Sequence, residues 1–275
     1  MFFALSAEPR RRFDRALLAD KNAELVALYQ AIKSDVENLI DRLRAYRDDH
    51  LRKNDVKRRE HFYEVRALDS STLTTVERGA RLLFLNKTCF NGLWRVNASG
   101  RFNVPFGKYA TPKILDADVL RAAHEALAVA TIRLADFSEV TSELSAGDFV
   151  YFDPPYVPVS KTANFTSYAS GRFGPKEQER LAAELTTLKK RGVRAMLSNA
   201  ATIESISLYE RHGFVLDKIR AARSINSDPS KRGDVDELVV TTYRPKEAKP
   251  AKPAKVVKPA KVVKPAKPVR RKAAV

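Results

Sequence analysis

VYFDPPYVP, residues 150 to 158, closes an apolar run with a carboxylate, two consecutive prolines and an aromatic ring. The short bulky stretch before Asp153 has the composition of a buried strand. The prolines that follow lack an amide donor and hold their own backbone, and that of the residue before them, in a narrow range. A strand therefore ends here and a stiff turn begins. The same residues allow a plainer reading, in which Asp153 only caps a Pro-Pro turn.

Working outward from this stretch, the chain reads as strands alternating with helices. RALLAD (15 to 20), ATIRLADF, DFVYFDPPY, VRAMLSNA, GFVLDKIRAARSI and ELVVTTY are strand candidates, and Pro175 to Arg191 is a helix between two of them. The alternation predicts a mainly parallel sheet covered on both faces, with ligands beyond the carboxyl ends of the strands. Asp20, Asp136 and Asp153 each fall at such an end, so three acidic groups are expected to line one crevice. Leu25, Leu28, Tyr29, Ile32, Val36, Leu39, Ile40, Leu43 and Tyr46 recur every three or four positions, the stripe of a helix facing a core. LTTVERGARLLFLNKT and the stretch around Ala117 to Ala128 read as two more helices. Charge dominates from His50 to Glu64. Residues 86 to 112 differ, being rich in Asn, Gly, aromatics and cations, with turn signals at Asn91-Gly92 and Ser99-Gly100. They predict a loop and hairpin exposed for recognition.

The formal charge of the 275 residues is +17, and nine Lys, two Arg and one Glu in residues 246 to 275 supply ten of those charges. Both parts of the chain are basic, so a polyanion such as nucleic acid is the first partner to consider. The last thirty residues carry Lys at every third position from 246 to 267 among Pro, Ala and Val, and they are expected to form a disordered basic tail. Cys89 is the single cysteine, which excludes an intrachain disulfide and suits a reducing compartment. The four histidines are widely spaced and no Cys pair exists, so no metal is expected. No run has the length of a membrane span. A cytoplasmic protein acting alongside the nucleoid, with no membrane partner, is the expectation.

The chemistry available to DPPY narrows the partner. The exocyclic amine of adenine is a poor nucleophile because its lone pair is delocalised into the ring. If Asp153 and the Pro154 carbonyl both accept hydrogen bonds from it, the nitrogen is drawn toward tetrahedral geometry and the lone pair is freed. Pro154 and Pro155 hold the acceptors still, and Tyr156 can stack on a base taken out of the duplex. This is positioning and electrostatics, without a covalent enzyme intermediate.

Together with FDPPY, the stretches LLADKNAELVALY, LNKTCFNGLWRVNASGRFNVPFGKY, TANFTSYASGRF, LSNA and VDELVVTTY resemble the DNA adenine N6-methyltransferases of the Dam type from about Arg15 to Tyr243. The resemblance implies an α/β fold: a Rossmann-like S-adenosylmethionine-dependent methyltransferase sheet interrupted by a mainly helical target-recognition domain. The expected division is residues 1–33 for the N-terminal part of the methyltransferase domain, 34–115 for target recognition, 116–245 for the catalytic domain and 246–275 for the tail. The resemblance also implies roles. Asp20 matches the acidic residue that accepts hydrogen bonds from the cofactor ribose, and Asp136 with Phe137 the pair that holds the cofactor adenine. Asp153, Pro154, Pro155 and Tyr156 match the catalytic motif, with Asp153 also beside the cofactor. Phe90, Asn91, Leu93 and Arg95 match positions that contact or intercalate at the target, which in close relatives is 5'-GATC-3', and Lys108 is a candidate phosphate contact. Double-stranded DNA is the implied partner and S-adenosylmethionine the implied cofactor, and monomeric action is common among similar enzymes.

Each residue also has a plainer role. Asp20 can cap the helix that follows it. Phe137 and Phe90 can be packing residues, and Arg95 can meet phosphates alone. The family carries a glycine-rich loop ahead of the strand at 15 to 20, whereas this chain has no glycine before Gly79. MFFAL resembles the helix that follows that loop, so the sequence is expected to begin inside the first cofactor motif. A relative that binds DNA without turnover is the alternative reading.

Overall fold

A computed structural model describes residues 1–7, 13–97, 99–158, 173–222 and 234–245. The basic tail at 246–275, nearly all of TANFTSYASGRF and the end of the GFVLDKIRAARSI strand candidate lie outside the described residues. Met1–Tyr243 form one compact unit.

Opening the chain, α1 (Phe2–Ser6) is followed by β1 (Ala16–Asp20) and α2 (Ala23–Ser34). Asn22 starts α2, its side-chain oxygen accepting from the Glu24 and Leu25 amides, which would otherwise be orphaned at the helix end. The apolar stripe from Leu25 to Tyr46, legible as one helix, is two. Asp35 leaves helical geometry at φ −155° and ψ 57°, and α3 (Val36–Arg52) starts afresh beyond it. The reason lies in the helix that both must cover. Packing of α5 (Thr75–Thr88) engages α2 and α3 together, and at the crossing a Cβ added to Gly79 would stand 3.3 Å from Ala31 Cβ and 3.3 Å from Leu28 Cα. Leu39 Cδ1 of α3 would stand 3.4 Å from the same point, so the break lets both helices close on α5 at one residue.

The charged stretch from His50 to Glu64 conceals α4 (Asp55–Ala67), capped by Asn54 and burying His61, Phe62 and Val65. Its charges occupy the outward positions, and three inward side chains at helical spacing suffice to dock it. A capping box between Thr74 and Glu77 starts α5. Beyond the loop that follows α5 come α6 (Ala117–Leu127), β2 (Ala130–Leu134), α7 (Phe137–Thr141), β3 (Phe149–Phe152), α8 (Pro175–Lys190), β4 (Arg194–Ala200), α9 (Ile203–Arg211), β5 (Val215–Ala222) and β6 (Asp234–Thr241).

Strand and helix do alternate in this mixed α/β chain, but the described strands form two sheets: β1 pairs with β2, and β3, β4, β6 and β5 lie in that order. Pairing is parallel for β1–β2 and β3–β4, and antiparallel for β4–β6 and β5–β6. The expectation of a mainly parallel sheet is thus half met. With α9 between them, β4 and β5 run in the same direction, as a helical crossover requires. Instead of extending the sheet at its edge, β6 slots between them in the opposite sense. Apolar burial is divided in the same way. One core joins α2 to α6 with the start of β2, including Leu39, Leu43, Phe62, Phe84 and Leu127. The other lies under β3 to β6 with α8 and α9, around Leu181, Leu185, Leu197, Tyr209 and Val240.

Within the helical core His50 is wholly buried, and neither ring nitrogen has a hydrogen-bond partner among the described residues. Its ring packs on Phe84, Phe106 and His61, with centroids 5.3, 6.1 and 5.6 Å away. Burial, then the nearby His61, Arg58 and Lys53, lower its pKa to about 4, against an opposing pull from Asp49. Protons then bind the unfolded chain more readily than the folded one, so stability is lost as pH falls from about 6.5 toward 4. Denaturant titrations at pH 7 and pH 5 are expected to show about 1–2 kcal/mol less stability at the lower pH, and the loss should shrink in His50→Leu.

Candidate active site and nucleic-acid interface

Beyond the last residue of β3, Asp153 projects an exposed carboxylate. Ser198 Oγ on the neighbouring β4 donates to its Oδ1 at 3.1 Å, and Tyr151 OH lies 2.8 Å from the same Ser198 oxygen. One carboxylate oxygen is thereby held while the group stays open to solvent. Pro154 is buried and Pro155 exposed, so the turn is seated on one ring and presents the other. Tyr156 is half-buried, its hydroxyl 3.4 Å from Glu237 Oε2 on β6. Desolvation raises the Tyr156 pKa above its ordinary value, with the nearby Glu237 and Asp153 adding to it and a hydrogen bond from Ser198 opposing. Behind the turn, Gln178 Nε2 donates to the Pro155 carbonyl at 3.0 Å, and the Val157 amide donates to Asn199 Oδ1 at 2.9 Å.

Asp20 and Asp136 meet at the ends of the first parallel pair. The Ala135 amide donates to the Asp20 carbonyl at 3.2 Å. Asp20 is exposed and accepts from the Asn22 amide at 2.6 Å, so it supports the start of α2 while keeping other lone pairs free. Asp136 is fully engaged. It caps α7, its Oδ1 accepting from the Ser138 amide and hydroxyl at 3.0 and 2.8 Å. Arg180 of α8 grips both oxygens at 2.8 and 3.0 Å, and Lys21 Nζ lies 3.2 Å away. These donors, Arg180 foremost, hold the Asp136 carboxyl well below the usual carboxylate range. The Arg180 guanidinium also lies 4.1 Å from the centre of the Phe137 ring.

The two acidic ends are tied together. Phe137 meets Phe152, the residue before Asp153, edge to face at 6.3 Å. The first turns of α8 reach both sides, with Gln178 on the Pro155 carbonyl and Arg180 on Asp136.

Residues 89–97 and 99–106 form the predicted hairpin. Cys89 pairs with Phe106 and Val96 with Phe102 in antiparallel bridges, and Asn91, Gly92 and Gly100 take the left-handed conformations that their turns need, at φ 54°, 60° and 75°. Gly107 must be glycine, since a Cβ there would stand 2.5 Å from the Cys89 carbonyl oxygen. Phe90 is 43% exposed and Lys108 is exposed too, so both are accessible at the surface. Leu93 is half-buried against the helical core. The Arg95 guanidinium is aimed by Asn103, its Nε donating to Oδ1 at 2.7 Å and Nη2 to the carbonyl at 3.2 Å. Trp94 and Tyr109 add exposed aromatic surface at 37% and 40%, and Tyr109 accepts the Asn91 amide at 3.0 Å. Cys89 is sealed beneath the loop, its thiol pushed up to about 11 by burial.

Sequence reasoning missed Ser198, Asn199, Gln178, Arg180 and Glu237. The two polar residues that interrupt the apolar run VRAMLSNA were the available signal, because a buried strand admits Ser and Asn only where they find partners. Nothing in the spacing of α8 singles out Gln178 or Arg180.

The profile of the D12 class N6 adenine-specific DNA methyltransferases matches residues 1–225. This chain belongs to that family, and DNA is the substrate of the class. Among its relatives, the Type II methyltransferase M.MjaIII of Methanocaldococcus jannaschii is 41% identical over 236 residues, 84% of this chain and 81% of the relative. The DNA adenine methylase of Escherichia coli K12 is 32% identical over 240 residues, 87% of this chain and 83% of the relative. That of Vibrio cholerae O395 is 34% identical over 229 residues, covering 82% and 79%. Methyltransferases of this kind generally use S-adenosylmethionine.

Because Asp136 both caps α7 and anchors Arg180, Asp136→Ala is expected to cost about 1–2 kcal/mol of stability in denaturant titrations near neutral pH. Its folded-state pKa is depressed, so this contribution persists above the unfolded carboxylate value and fades as pH drops below about 4. The gap between wild type and variant should narrow progressively as pH falls from there toward the depressed folded-state value.

Proposed function

We propose that the chain transfers the methyl group of S-adenosylmethionine to N6 of adenine in duplex DNA, within 5'-GATC-3'. The observation that carries this reading is the exposed Asp153 carboxylate at the end of β3, with one oxygen steadied by Ser198. In this reading Asp153 and the Pro154 carbonyl accept the two N–H bonds of the adenine amine, concentrating the lone pair on nitrogen. S-adenosylmethionine, when bound, supplies a methyl group on positively charged sulfur. Transfer would form the N–C bond as the C–S bond breaks, the sulfur leaving as a neutral thioether, and Asp153 would pass the surplus amine proton through its hydrogen bond to solvent. Tyr156 provides the ring against which the extruded base rests, with Pro154 and Pro155 limiting movement of the turn.

The donor chemistry of the residues suits the cofactor. Asp20 keeps lone pairs for the ribose hydroxyls, and Asp136 with Phe137 would take the adenine end only once Arg180, which now occupies both Asp136 oxygens and lies 4.1 Å from the ring centre, is displaced. Arg180 would have to swing off Phe137, and that feature supports the second reading, a DNA-binding relative without turnover. On the recognition hairpin, Arg95 is suited to a guanine edge and the open side of Leu93 to a thymine methyl. Phe90 and Asn91 would insert at the target step, and Lys108 would neutralise a phosphate.

Incubating GATC duplexes with labelled cofactor separates the readings. Wild type should incorporate label and Asp153→Ala should lose at least about a hundredfold in rate while binding DNA comparably; DNA binding without label would favour the second reading. On the DNA side, Arg95→Ala should relax discrimination at one base pair by about 1–3 kcal/mol. Lys108→Ala should weaken all sequences alike and lower the salt slope by about one.

A further inference from the structure

We infer that Gln178 is a positioning residue for the methyl-transfer step, the centre of a buried clamp that fixes both peptide groups flanking Tyr156; the inference rests on the methylation reading. Gln178, Asn199 and Tyr209 are 4%, 0% and 0% exposed. Asn199 Oδ1 accepts from the Val157 and Ala200 amides, each at 2.9 Å. Its Nδ2 donates to Gln178 Oε1 at 3.1 Å, and Tyr209 OH donates to the same oxygen at 3.2 Å. Gln178 Nε2 then donates to the Pro155 carbonyl at 3.0 Å.

The chemistry allows only this direction. Backbone amides can only donate, so the oxygen of Asn199 must face them and its NH2 must face Gln178. Burial pushes the Tyr209 hydroxyl up to about 12, which keeps it a donor. Gln178 therefore receives two hydrogen bonds at Oε1 and has its NH2 left for Pro155. The Pro155 carbonyl belongs to the peptide before Tyr156 and the Val157 amide to the peptide after it. With both planes pinned and both proline rings restricting the backbone upstream, the Tyr156 ring and the Pro154 carbonyl are set relative to Asp153. A cluster of amides buried beside an apolar core is costly unless every member is paired, and here the pairing ends on the DPPY turn.

Gln178→Glu isolates the one hydrogen bond that matters. The introduced carboxyl group, when ionised, can still accept from Asn199 and Tyr209 but cannot donate to Pro155, whereas the protonated acid can. Its pKa would be raised by burial. With purified full-length chain and GATC duplex, Gln178→Glu is expected to lower kcat about 10- to 100-fold at pH 8, with KM for DNA and for cofactor within about threefold. It should recover toward wild type as pH is lowered to 6, while Gln178→Met stays slow at both. Amide exchange at Val157 reads the clamp without turnover, and protection in wild type should be lost in Asn199→Ala. A folded Gln178→Glu enzyme with wild-type kcat at pH 8, or an unprotected Val157 amide in wild type, overturns the clamp. A wild-type chain that methylates no DNA but protects Val157 overturns instead the reading on which the catalytic role rests.

Discussion

The grip of α8 on two strand ends is the constraint on which the site depends. Its early residues carry Gln178, which holds the turn after β3, and Arg180, which holds the cap of α7 after β2. The described strands fall into two separately hydrogen-bonded sheets, so no backbone ladder among them fixes one acidic end against the other. Side chains do that work, with the Phe137–Phe152 contact as the apolar part of the link. Ion pairing at Asp136 is multidentate on a carboxylate that is itself mostly covered, and the two-point grip of Arg180 distinguishes it from single-point surface pairs such as that of the exposed Lys21.

The hairpin that follows α5 is built on a different principle. Its orientation comes from the end of α5, where the Gly107 amide donates to the Thr88 carbonyl and the Phe90 amide to the Pro105 carbonyl. Arg95 is already held by Asn103, so a base contact made through it would need less ordering than a free side chain requires. Phe90, Trp94 and Tyr109 are exposed on the same stretch of chain, a combination of cation and flat apolar surface that suits stacked bases.

Much of this was legible in the residues. Asp20 and Asp153 could be placed at strand ends because short apolar runs stop abruptly there, and the hairpin could be placed because Asn91-Gly92 and Ser99-Gly100 encode their turns locally. The break at Asp35 was not legible, because the apolar period passes through it unchanged and only the crossing of α5 at Gly79 requires it. Nor was α4, whose charges outnumber the three side chains that dock it, or α9, where Thr202 and Ser205 make the cap but the apolar stripe is short. The antiparallel place of β6 depends on pairings between strands far apart in sequence, which no local pattern carries. The Gln178–Asn199 clamp was hidden for the same reason: polar residues on a helix and a strand declare a partnership only when the fold brings them together.

The buried Cys89 has a practical consequence. As the chain's one sulfhydryl, covered completely and with its thiolate form disfavoured, it should resist alkylating reagents and mild oxidants. Fluorophores or spin labels could then be attached through cysteines introduced on the hairpin surface without first removing the native one, and the loop's motion on encountering a duplex could be followed in an otherwise unaltered protein.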